Sequence, residues 1–201
     1  MKKRLPVIIG LIIVILFSIW YGFTDRTHKI YDNNVNTAQY SAIGIIQEGG
    51  SVSQSFVCEE DVINGFYIKC DPSGDCAQTV VEIQIIDTDT GEVISTGSDT
   101  GSNIRERQLH RFEVDPITGY KGKTLTLVLT EQGSTETSGV IVYYQPSSES
   151  IGNFSVNGNE TNGVFIMKTI TECFDAETFI IVFISIMFIW VFMWFLYRLF
   201  K

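Results

Sequence analysis

Of 201 residues, 45% are hydrophobic and only 18% charged, with a net charge of −9. Much of the apolar share lies in two charge-free stretches, residues 5–23 and 179–197, each 19 residues long. That is close to the ~20 residues a helix needs to cross about 30 Å of hydrocarbon. The remaining 155 residues, 24–178, make one ordinary domain rather than two, which argues against a soluble enzyme, a cytosolic regulator and a multi-span transporter.

Residues 1–4 form a basic tip, with Lys2, Lys3 and Arg4 and no acid. Residues 5–23 follow as a first transmembrane helix. A cleaved signal peptide would have a shorter apolar core. The exit Trp20-Tyr21-Gly22-Phe23-Thr24-Asp25 also offers no small-x-small cleavage site, so an uncleaved anchor is expected. Ser18 and Gly22 form a small-xxx-small pair that lets another helix approach closely.

Residues 24–39 are polar and read as a stalk, and 40–174 read as strands. Val52, Gln54, Phe56 and Cys58 recur with the strand period of two, as do Val81, Ile83 and Ile85, and Leu125, Leu127 and Leu129. Further strands are expected at 40–46, 62–70, 91–96, 109–114, 139–145 and 163–171. Turns are expected at Glu48-Gly49-Gly50, Asp87-Thr88-Asp89-Thr90-Gly91, Asp115-Pro116, Tyr120-Lys121-Gly122 and Asn157-Gly158, with a long loop at 147–162. About nine short strands at this spacing predict an all-β domain, an antiparallel β-sandwich of jelly-roll type, flanked by two transmembrane helices.

Residues 175–178 read as a short linker, 179–198 as the second transmembrane helix and 199–201 as a closing tip. The second helix carries Phe188, Phe192 and Phe195, bulky rings able to fill a groove on a membrane partner, and it holds no charge before Arg198. The absence of intramembrane ionisable groups gives no hint of conduction. Outside the spans the flanks hold five cations (Lys2, Lys3, Arg4, Arg198, Lys201) and no acid. The middle holds the other 9 of 14 cations and all 23 acids, a net of −14 (9 minus 23). Lysine and arginine in short flanks stay cytoplasmic, so both termini are expected inside the cell membrane and the acidic middle outside.

Four cysteines, Cys58, Cys70, Cys76 and Cys173, all fall in that middle segment, where disulfides are permitted. Cys70 and Cys76 flank the turn-rich Asp71-Pro72-Ser73-Gly74-Asp75, and a bridge there would staple a hairpin end. Cys58 would then pair with Cys173, although four cysteines allow three connectivities. Zinc would need closer Cys pairs or paired histidines, and His28 and His110 are isolated. No metal and no cofactor is expected. Asp87–Glu92 resembles the opening of a calcium loop, but Ser98 stands where the closing Glu should be, so a hairpin turn accounts for it.

Arg105, Arg107 and Arg111 are the one basic cluster, and at spacings of two they would share a strand face. Guanidinium forks suit an anionic polymer, while pairing with Glu82 or Glu113 is the plainer use. Nucleic acid is disfavoured, because the acidic domain would repel its phosphates. Of Tyr143 and Tyr144 on one strand, one should point inward and the other outward, where it could stack on a sugar with Tyr67 or Tyr120 nearby. Catalytic motifs of the Gly-x-Ser-x-Gly, His-Glu-x-x-His and phosphate-loop kinds do not occur, so the chain is not expected to be an enzyme.

Ser53-Gln54-Ser55-Phe56, Ile63-Asn64-Gly65-Phe66, the 81–85 strand with Asp87 and Gly91-Glu92-Val93-Ile94, His110-Arg111-Phe112 and Gly122-Lys123-Thr124-Leu125-Thr126-Leu127 follow one another as a layout. It is similar to galactose-binding-like, carbohydrate-binding-module-like jelly rolls on bacterial membrane proteins of envelope glycan assembly, over residues 43–144. That resemblance implies an outward-facing sandwich and, in some members, contact with an envelope glycan; it supplies no catalytic residues. The expected function is that of a non-catalytic, doubly anchored accessory subunit that meets the lipid bilayer, a membrane-protein partner and envelope polysaccharide. The alternative is a freestanding binding module for carbohydrate or anionic polymer.

Overall fold

The computed structural model describes residues 5–32, 36–146 and 152–200. The cations Lys2, Lys3, Arg4 and Lys201 lie outside the described residues. The chain divides into two units, one of Met1–Arg26 with Glu172–Lys201 and one of Thr27–Thr171.

Helix α1 (Leu5–Gly22) and helix α2 (Ala176–Leu199) dominate the first unit. α2 begins at Asp175, whose carboxylate accepts the backbone N–H of Glu177 at 2.9 Å and so caps the free amides of the first turn. Arg198 in its last turn complements the negative end of the helix dipole. With 24 residues, α2 is long and apolar enough to cross a membrane. α1 departs from the two-span expectation: with 18 residues it is shorter, and α2 is the one such helix among the described residues. The cause is local. Gly22 is a poor helix former, and from Phe23 the chain is extended, so Phe23 belongs to a strand.

The two helices pack on each other, and the small residues of α1 serve that contact. A Cβ added to Gly10 would lie 3.2 Å from the Trp190 ring, and one on Gly22 would lie 3.2 Å from Phe179 Cβ. Ser18 is fully buried, and its hydroxyl donates to Val14 O at 2.8 Å. The neighbours that Gly22 admits are therefore Phe174, whose ring would lie 2.8 Å from that Cβ, and the start of the chain's own second helix. Phe188, Phe192 and Phe195 remain exposed, and the first two stack with centroids 6.1 Å apart.

Between the helices run β1 (Phe23–Lys29), β2 (Ser41–Ile45), β3 (Ser51–Val57), β4 (Val62–Ser73), β5 (Val80–Asp87), β6 (Val93–Thr100), β7 (Leu109–Thr118), β8 (Thr124–Gln132), β9 (Gly139–Gln145), β10 (Phe154–Val156), β11 (Asn159–Glu160), β12 (Val164–Phe165) and β13 (Met167–Phe174). They form two sheets with antiparallel pairing. One contains β2-β9-β4-β7, extended by β1, β12 and β13; the other contains β3-β8-β5-β6, with β10 and β11 beside β3.

The period-two pattern places the core. Val81, Ile83, Ile85, Leu125, Leu127 and Leu129 are fully buried, as are Ile63, Phe66, Ile68 and Val142 from the other sheet. Each such side chain contributes ~1.5–3 kcal/mol of hydrophobic stabilisation. The rings of Phe56 and Phe66 meet edge-on at 5.9 Å. A β-sandwich-like domain is thus present, as the alternation predicts.

Three segments differ from expectation. The polar stretch 24–39 is not simply a stalk: its first part is β1, and Ile30 enters the core, its N–H donating to Met167 O at 3.1 Å. The loop expected at 147–162 contains β10 and β11, because Phe154 is buried and β10 pairs with β3. At Asp115-Pro116 the chain does not turn. β7 continues through it with a register shift opposite Ile63 and Gly65, which a proline tolerates on a strand paired only on one side.

Candidate functional site

The site begins with a change of partner along β4. Cys70 to Ser73 pair with β9, whereas Gly65 to Ile68 pair with β13. At the crossover β9 and β13 part, and Ile166 fills the fork: Lys69 N donates to Ile166 O at 2.9 Å, and Ile166 N donates to Tyr143 O at 3.3 Å. On the outer face above this fork lies a groove of about 470 Å³, lined by Tyr31, Tyr40, Lys69, Asp71, Arg107 and Tyr143, with Thr37, Leu109 and Ile166 completing it. That volume lies in the range of small-molecule sites.

Strand alternation explains the floor. Cys70 points into the core opposite Val142, so Lys69 and Asp71 on either side of it point out, and Tyr143 does the same beside Val142. The Lys69 ammonium lies 3.2 Å from Asp71 Oδ1 and 5.3 Å from the centroid of the Tyr143 ring, a cation–π arrangement. Asp71 is the organiser. It accepts the backbone N–H of Arg107 at 2.6 Å, the Tyr143 hydroxyl and the Lys69 ammonium. Burial alone would push its carboxyl up, but these donors outweigh burial and hold it below the ordinary aspartate range. Burial, and then the hydrogen bond to Asp71, push the Tyr143 phenol above its usual value. Tyr31 and Tyr40, also raised by burial, meet edge-on at 6.4 Å and form a second aromatic wall.

Arg107 is held in the left-handed region at φ 63°. For a residue with a Cβ this costs ~1–2 kcal/mol, and the short bond to Asp71 anchors it. Its guanidinium finds no partner among the described residues and is exposed.

The arginine cluster is therefore not a strand face. Arg105 and Arg107 lie in the turn before β7, and only Arg111 is on a strand, its Nε 3.4 Å from Glu113 Oε1. Arg107 reaches the groove; Arg105, exposed, is not part of its lining. Tyr143 is the outward tyrosine and Tyr144 the inward one, stacked on Phe154 at 5.4 Å. Tyr120 packs on the core under Lys123, and Tyr67 stands opposite Arg111 rather than in the groove. Sequence reasoning missed Tyr31, Tyr40, Lys69 and Asp71. The Lys69-Cys70-Asp71 alternation was a usable signal, but only once β4 is paired with β9.

The expected disulfides are not formed: Cys58, Cys70, Cys76 and Cys173 are all free thiols. β4 runs on past Cys70 to Ser73, so Cys70 is sealed in the core, where burial pushes its thiol up to about 12. Cys76 is also buried and donates to Gly139 O at 2.9 Å. Cys58 donates to Glu60 O at 3.4 Å, and Cys173 to Thr24 O at 3.8 Å. In the Asp87 segment the carboxylate is used by the turn itself, accepting Asp89 N–H at 3.0 Å. Among the described residues no group of three His, Cys, Asp or Glu side chains is placed to hold a metal ion.

A second unusual carboxyl lies in the core. Glu131 is 2% exposed, and its Oε2 accepts Val140 N–H at 3.1 Å. Burial pushes its pKa up to about 7. No family model matches the chain, and no curated protein matches it.

Proposed function

We propose that this chain is a non-catalytic membrane protein, anchored by both helices, that holds its sandwich outside the cell and contacts an envelope glycan through the Tyr143 groove. It would serve as an accessory subunit of a membrane complex that assembles or exports envelope polysaccharide. The groove carries this reading: two tyrosine walls, a Lys69–Asp71 pair on the sheet face and Arg107, whose backbone N–H is anchored on Asp71, are what a polar, ring-shaped ligand needs.

Four observations support the rest. The orders β2-β9-β4-β7 and β3-β8-β5-β6 are those of an eight-stranded jelly roll, in line with the resemblance to galactose-binding-like ectodomains. α2 has the length to cross the bilayer, and α1, at 18 residues, rises about 27 Å, enough to cross beside it when packed along it. Basic residues at both tips favour two cytoplasmic termini. The exposed rings of Phe188, Phe192 and Phe195 are free for lipid or for a membrane partner.

Protease added to intact cells tests the topology: the middle should be digested while tags at both termini survive. A tag cleaved from outside at either end would contradict it. Crosslinking in native membranes should then recover a stoichiometric membrane partner. Saccharide binding by the full chain with no such partner would favour a freestanding module.

A further inference from the structure

We infer that the groove takes a saccharide bearing an anionic substituent, a carboxylate or a phosphate, with Arg107 and Lys69 as the anion clamp and the tyrosines as the ring platform. The inference rests on the groove being a glycan site, as proposed above, and adds the charge of its ligand.

The argument starts from which donors are already used. Asp71 takes one donor each from Arg107 N–H, Tyr143 hydroxyl and Lys69, so the one acid in the groove lining is consumed as a brace and does not repel a second anion strongly. Lys69 has three N–H donors, one of them directed at Asp71. The Arg107 guanidinium offers five donors in a planar fork suited to carboxylate and phosphate oxygens. Lys69 is balanced by Asp71, and Asp32 acts on the Tyr40 phenol from beside the groove, so the Arg107 fork is the cation left for a ligand, within a middle segment where all 23 acids lie. A single guanidinium fork in an acidic surround selects one anionic group and rejects a densely charged chain. That is why a sparsely charged saccharide fits better than nucleic acid or a polyanionic tail.

Backbone strain points the same way. Asparagine or glycine would occupy φ 63° at lower cost, yet an arginine stands there. Strain of this sort is retained where the side chain has work to do at that place. The aromatic walls specify a ring. Tyr143 presents its face beside Lys69, and Tyr31 and Tyr40 stand at 88° to each other, leaving one flat and one edge-on surface along the groove.

The test uses the full chain in nanodiscs and sets of oligosaccharides, each as a neutral form, a carboxylate-bearing form and a phosphate-bearing form, with an oligoglutamate peptide alongside. Tighter binding of a charged form than of its neutral match is expected, and whichever charged form wins identifies the source of the anion. Arg107→Gly suits the left-handed backbone and keeps the fold, and should weaken the charged form about tenfold to a hundredfold while leaving the neutral form within about twofold. Added salt should narrow the same gap. Lys121→Ala, an equal charge change at an exposed turn paired with Asp61, should do neither.

Equal binding of charged and neutral forms, lost in Tyr143→Ala, would overturn the anion clamp and leave the glycan groove standing. Oligoglutamate bound as tightly as the charged saccharide would overturn the saccharide class. No binding of any saccharide would overturn both readings.

Discussion

The two sheets of the sandwich obey the same alternation, yet their outer faces are made of different materials. The face of β3-β8-β5-β6 shows Ser53, Thr126, Glu82, Gln84, Thr96 and Ser98, and its hydroxyls bond sideways to one another, Ser53 to Ser155 at 2.7 Å and Thr88 to Thr126 at 2.9 Å. Its depression of about 380 Å³ is lined by Glu82, Gln84, Thr96, Gly97 and Ser98 with Ile83, without a ring or a cation. The face of β2-β9-β4-β7 instead gathers Tyr143, Lys69 and Asp71 and recruits Arg107, Tyr31 and Tyr40 from outside the sheet. Inward positions on both sheets are fixed by packing. Outward positions are free, and one face has spent that freedom on β propensity and solubility, the other on rings and charges.

The inward-versus-outward half of this comparison is broken most forcefully at β8. Leu127→Asp buries an unpaired carboxylate and should cost about 4 kcal/mol or more, enough to lose the cooperative unfolding transition. Thr126→Asp, one residue away on the outer face, should stay within about 1 kcal/mol of the parent. Thermal or urea melts of both decide it, and a Leu127→Asp protein as stable as the parent would mean that the alternation has been read in the wrong register.

The next effect separates two carboxyls. Asp71 on the outer face is held low by its donors, whereas Glu131 in the core is pushed up to about 7 by burial. For Glu131 the unfolded state releases its proton first as pH rises from the ordinary glutamate range. The native state therefore loses ground up to pH about 7, and the full penalty, about 3 kcal/mol, applies above it. Glu131→Gln should remove this fall. Denaturant midpoints compared at pH 5 and pH 8 should converge in the variant and diverge in the parent, and an unchanged pH dependence would show the carboxyl to be solvated.

A smaller effect sharpens the outer-face half. Arg107→Gly relieves a left-handed arginine and should change stability by no more than about 1 kcal/mol, in the stabilising direction if Asp71 keeps its bond to the backbone N–H. A clear loss of stability would make the arginine structural rather than a ligand contact.

How much of this was legible differs between core and groove. Leu125, Leu127 and Leu129, with Val81, Ile83 and Ile85, announce two central strands because a period of two survives any topology. Tyr143 and Tyr144 were separable into one outward and one inward residue for the same reason. The cysteine pairing was misread because a spacing of six says nothing about facing: β4 carries Cys70 into the core three residues before it ends at Ser73. The groove was legible only in fragments. Tyr143 and Arg107 stood out as residue types, but Tyr31, Tyr40, Lys69 and Asp71 join them through the β4–β9 pairing and the fork at Ile166, which no local pattern encodes. Arg105, equal to Arg107 in type and neighbourhood, lies in the same turn without reaching the groove.

Hydrogen exchange of the full chain in nanodiscs, with and without saturating fragmented envelope polysaccharide, tests the central claim most directly. Slower exchange should appear in residues 67–73, 105–109 and 141–144, with 82–86 and 96–100 unchanged. Protection confined to the serine- and threonine-lined face, or no protection on either, would contradict the assignment of the binding site.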